Sequence, residues 1–131
     1  MKTYLVGNSS QMIVLKVDVS SLGLSATRAI LVDLYSGAGG VSVAQSADAT
    51  GDIANARIGA PASIINKRLS VFTRIDFSGN DKETRKQQFE QSKILVSLEN
   101  GAEGLKEFND ADRTINDQCT SGFLTLHIDL K

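Results

Sequence analysis

The stretch Phe123–Lys131, FLTLHIDLK, alternates without a break: Leu124, Leu126, Ile128 and Leu130 fall on one side, Thr125, His127, Asp129 and Lys131 on the other. Successive side chains of a strand point to opposite faces, so this is a strand with one dry and one wet face. The same period returns upstream. Ile13, Leu15, Val17 and Val19 share a face opposite Met12, Val14, Lys16 and Asp18. Leu69, Val71, Thr73, Ile75 and Phe77 alternate with Ser70, Phe72, Arg74 and Asp76, and Ile94, Val96 and Leu98 are in phase. In Ala26–Tyr35 the apolar phase reads as Ile30, Val32 and Leu34 against Asp33. These segments predict an all-β chain: an antiparallel β-sandwich, Greek-key or jelly-roll-like, of roughly seven or eight strands, with a barrel as the structural alternative.

Turn chemistry places the joints. Thr3–Val6 reads as a short strand paired with Gln11–Val19 across Gly7-Asn8-Ser9-Ser10. Ser36-Gly37-Ala38-Gly39-Gly40 leads into a hairpin return over Val41–Ala44, and Asn100-Gly101 is a hairpin signal because a type I′ turn needs positive φ at both central residues. Ile53–Ile58 is a weak strand, since Ala54 and Ala56 give little to pack, and it is the expected sheet edge. Residues 109–122 read as a polar loop. One short charged helix or loop is expected near residues 80–92, capped by Asn80, with Glu83 at capping-box spacing and Phe89 as its one large apolar residue.

The totals narrow the function classes. A length of 131 residues fits a single domain over 1–131, and 41% hydrophobic with 22% charged residues is ordinary for a globular chain. A net charge of −1 gives no electrostatic reason to bind nucleic acid or an anionic membrane surface. No Trp is present and the aromatic share is 5%, so neither a base-stacking nor a sugar-binding platform is visible. The first residues lack the apolar run of a secretory signal and no window approaches a membrane span, which makes a cytoplasmic location the default expectation. Cys119 is the only cysteine, so no internal disulfide forms.

Candidate chemistry is sparse. His127, the one histidine, shares the polar face with Thr125 and Asp129, but no nucleophile elbow accompanies it and neighbours two apart on a strand lie far apart for a hydrogen bond. Cys119 lacks a protease context, and one Cys with one His falls short of a zinc set. The Gly-rich Ser36–Gly40 is not followed by the Lys-Ser/Thr of a phosphate loop. Asp110-x-Asp112-x-Thr114 imitates the opening of a calcium loop, then fails with Ile115 where Gly belongs and Ser121 where Glu belongs.

The clearest departure from the alternation is apolar. Met12, Val14, Phe72 and Leu95 sit out of phase with their strands' main faces and are the candidate interface residues. The reading is therefore non-enzymatic: a protein-interaction or assembly module acting through a sheet face or edge, on a protein partner or a second copy, without cofactor. The alternative is a calcium- or small-ligand-binding sandwich using the loops 45–52 and 109–118.

Overall fold

The computed structural model describes residues 2–131; Met1 lies outside them. The FLTLHIDLK pattern becomes β10 (Ser121–Leu130), and it is interior to a sheet. The larger sheet has six strands in the order β1 (Thr3–Tyr4), β10, β6 (Lys67–Asp76), β3 (Leu24–Asp33) and β4 (Val41–Gln45). A sixth strand, β9 (Asp112–Ile115), pairs with the first half of β10. The smaller sheet is β5 (Ile53–Gly59), β2 (Ile13–Ser20), β7 (Lys93–Gly101) and β8 (Gly104–Phe108). All ladders are antiparallel except β1 on β10. The chain is thus an all-β sandwich with two separate sheets rather than a closed barrel.

The two inner faces make the core. Leu124, Leu126, Ile128 and Leu130 of β10 join Leu69, Val71 and Ile75 of β6, opposite Ile13, Leu15 and Val17 of β2 and Ile94, Val96 and Leu98 of β7. Each such side chain contributes roughly 1.5–3 kcal/mol relative to leaving it in water.

Each end of the sandwich is plugged by one ring, and each plug depends on a glycine. At one end Tyr4 is buried; its hydroxyl donates to the Gly104 carbonyl and accepts the Gly101 N–H at 2.8 Å. A Cβ on Gly101 would stand 2.5 Å from the Tyr4 ring, so no other residue fits there. At the other end α2 (Lys82–Gln91) drives Phe89 inward, edge-on to Phe77 at 6.0 Å and over Gly122, where a Cβ would meet the Phe89 ring at 2.5 Å. Arg113 of β9 donates to the carbonyls of Ser92 and Phe89, placing a cation at the helix C-terminus, where the backbone dipole favours it.

Several local expectations need correction. β1 does not form a hairpin with β2: it runs parallel to the end of β10, because burial of Tyr4 against Gly101 fixes it there. In β3 the inward residues are Ser25, Thr27, Ala29 and Leu31, not Ile30, Val32 and Leu34. That phase is tolerated because the Thr27 hydroxyl meets the Thr73 hydroxyl at 2.7 Å, so two buried polar groups satisfy each other. Residues 109–122 contain β9. Asp81, not Asn80, caps α2, accepting the Thr84 N–H at 2.7 Å. The hairpin after β7 turns at Ala102-Glu103, with Asn100 at φ +76° forming an irregularity within the strand. A helical turn, α1 (Pro61–Ile64), lies between β5 and β6, with Pro61 at its first position.

Candidate functional site

The outer face of the six-stranded sheet follows from register. Because directly paired residues share a face, the wet residues of β10 and β6 line up in rows across the sheet. The central row is Gln45, Arg28, Phe72, Thr125 and Asp112, in order from β4 to β9. On one side of it lie Ile30, Ser70 and His127, then Val32, Arg68 and Asp129; on the other lie Ala26, Arg74, Phe123 and Thr114. Phe72 is 38% exposed and Phe123 42%. The inverted phase of β3 brings Ile30 and Val32, both half-buried, to this same face. α2 packs at the sandwich end through Phe89 and leaves the row of Phe72 open.

Polar groups on this face are held in place. Ser70 Oγ and His127 Nδ1 are 2.7 Å apart, and the imidazole stands edge-on to Phe72 at 6.0 Å. Asp129 is buried, and its carboxylate accepts from Arg68 Nε at 2.7 Å; that bond and its charge hold the Arg68 guanidinium still more firmly protonated. At the far end Asp76 accepts from Ser121 Oγ at 2.7 Å and from Arg74 Nε at 3.0 Å, and these two donors hold its carboxyl below the usual carboxylate range. Lys2, Asp112, Thr125 and His127 line a shallow depression with Arg68 and Asp129. His127 itself is exposed; its one hydrogen bond among the described residues is to Ser70, and Asp129, two residues away, is engaged by Arg68 instead.

The four candidate interface residues do not form one patch. Phe72 lies on the face just described. Val14 and Leu95 lie on the outer face of the four-stranded sheet, four ladder positions apart, and Met12 precedes β2, 40% exposed. Val14 borders a polar depression with Lys16, Asp18, Glu99, Leu105 and Glu107; Leu95 borders another with Asp18, Ser20 and Lys93. The residues that sequence reading missed are Ile30, Val32 and Phe123. The sequence signal for the first two was a β3 apolar on both faces.

The carboxylates of the 45–52 loop are engaged within the chain. Asp48 accepts from the Thr50 N–H and hydroxyl, and Asp52 accepts the Val19 N–H at 2.7 Å. Asp110 borders Lys93 and Arg113, whereas Asp112 faces Thr125 on the outer sheet face. No group of three metal-ligating side chains occurs among the described residues. Cys119 is buried at φ +56° inside the Asn116–Thr120 turn. No helix among the described residues is long and apolar enough to cross a membrane. Set against known protein families, curated proteins and solved structures, the chain matches none.

Proposed function

We propose that this chain is a non-enzymatic interaction or assembly module that works through the outer face of its six-stranded sheet. The observation that carries the reading is Phe72, exposed at the middle of that face, with Ile30 and Phe123 in the adjoining rows and Val32 one row further. Exposed apolar groups gathered on a rigid sheet and rimmed by charge are the usual makings of a contact surface.

The edges favour the face over strand addition. β5 meets β2 with two register shifts, holds Asn55 at φ +45° and exposes Arg57. On β8, the Lys106 ammonium bonds the Thr3 carbonyl at 2.9 Å and lies over the Phe108 ring. β9 turns Arg113 toward the helix end, and β4 meets β3 with a register shift. Bulges and inward-turned cations are devices that discourage a foreign strand from pairing.

Phe72→Glu tests the reading. Sedimentation and native mass spectrometry of the full chain, alone and with captured proteins, should show a complex that the variant loses while its thermal midpoint stays within a few degrees. A variant that keeps every complex of the parent sinks the reading.

A further inference from the structure

The outer face of the six-stranded sheet is complementary in charge to itself, and we infer that its occupant is a second copy of this chain, docked about a two-fold axis running between β6 and β10 and parallel to them. The inference rests on the interaction reading above and names its partner.

Two copies meeting through the same face must be related by a two-fold lying in the plane of contact. An axis parallel to the strands keeps each row and exchanges its left and right halves. In the central row Arg28 stands one strand beyond β6 and Asp112 one strand beyond β10. Each is then about 7 Å from the axis at ordinary strand spacing, so Arg28 of either copy comes opposite Asp112 of the other. Phe72 comes opposite Thr125. One row removed, Arg74 meets Phe123, a guanidinium against an exposed ring, the pairing that a ring's negative face favours. Two rows away on the other side, Arg68 comes opposite Asp129, but that carboxylate is buried beneath its own Arg68, so the row adds no ion pair between copies. None of these pairings opposes like charges.

The other in-plane axis gives the opposite result. A two-fold running along the central row would set Arg28 against Arg28 and Asp112 against Asp112, and like charges facing each other across an interface are strongly disfavoured. The registry of β3, β6, β10 and β9 therefore favours the axis along the strands over the one along the central row. Face-to-face sheets pack with their strands within about 30° of each other, which an axis along the strands allows. β6 and β10 are each 10 residues long. With β3 and β9 at their sides, the four strands present a face of roughly 600 Å² per copy at ordinary strand dimensions. That is somewhat below the roughly 800 Å² per partner of a standard interface, so the dimer is a weak one that forms at raised concentration.

Charge reversal and its repair test the geometry. Sedimentation equilibrium of the full chain over a concentration series should show a dimer. Arg28→Asp and Asp112→Arg should each raise its dissociation constant about tenfold or more, the scale of one like-charge contact made twice. The double variant, which exchanges the two charges, should return to near the parent value, with thermal midpoints unchanged throughout. A dimer that ignores all three variants overturns the proposed axis and sends the interaction reading to another surface. A chain that stays monomeric at every concentration overturns self-docking outright, while loss of a foreign complex in Phe72→Glu would still uphold the wider reading. Two single variants that weaken the dimer without repair by the double also overturn the pairing of Arg28 with Asp112.

Discussion

The two sheets share one core and differ in regularity. In the larger sheet β6 pairs residue for residue with both neighbours, ten positions on each side with no shift. In the smaller sheet β2 slips twice against β5, and β7 slips against β8. An unbroken register sets side chains in straight rows on the outer face, so charge and aromatic groups acquire fixed spacings. A shifted register scatters them. The β3, β6, β10 and β9 ladders therefore present a pattern; on the other outer face β2 and β7 pair without a shift, and Val14 and Leu95 lie apart because four ladder positions separate them among Lys16, Asp18 and Glu99.

The largest effects should be equal in the two sheets, because both inner faces are buried. Leu126→Ala in β10 and Leu98→Ala in β7 should each cost about 2–5 kcal/mol in denaturant unfolding. A much smaller loss at Leu98 would mean that the shifted sheet is also the looser one. The outer ion pairs should separate the sheets. Asp129→Ala leaves Arg68 without its buried partner and should cost about 1–3 kcal/mol. Lys16→Ala on the other face, whose pair with Asp18 is long at 3.7 Å and exposed, should change unfolding by no more than about 0.5 kcal/mol. Comparably small in stability, Phe72→Glu and Val14→Glu should each shift it by no more than about 0.5 kcal/mol. Only Phe72→Glu should alter association, and equal effects from both would erase the distinction between the faces.

Acid should produce the mildest change, and in both sheets. Asp76 is held low by Ser121 and Arg74, and Glu103 by the Leu5 N–H and Lys106. A carboxyl lowered in the folded chain stabilises it above the unfolded carboxylate value near 4 and loses that contribution as pH falls through the folded value. The thermal midpoint should hold steady from about pH 7 to 5 and decline below about pH 4. Glu103→Gln should flatten part of that decline.

The β10 and β6 faces were legible because their alternation has a single solution: shifting β10 by one residue would turn Thr125, His127 and Asp129 into the core and its leucines outward, and shifting β6 would do the same with Arg68, Phe72 and Arg74. β3 was not, since Ala29-Ile30-Leu31-Val32 offers two apolar faces and only its long-range partner Thr73 decides between them. β9 was hidden for another reason. Asp112-Arg113-Thr114-Ile115 carries one apolar residue and becomes a strand because β10 supplies a free edge and α2 supplies carbonyls for Arg113. The candidate face was half legible: Phe72 betrayed itself by breaking phase, whereas the rows that give it neighbours exist only after pairing.

The position of β10 also governs how the larger sheet can close. Within its sheet β10 joins β6 to both β1 and β9, so residues 121–130 complete three ladders at once. β1 and its partner are separated by more than a hundred residues, so their pairing is a long-range closure whose entropic cost precedes any reward. Until β10 pairs, β6 keeps one open edge along ten positions. An unpaired strand edge of this kind is a template for wrong pairing, so the β10–β6 ladder closes the sheet and removes that hazard in one step.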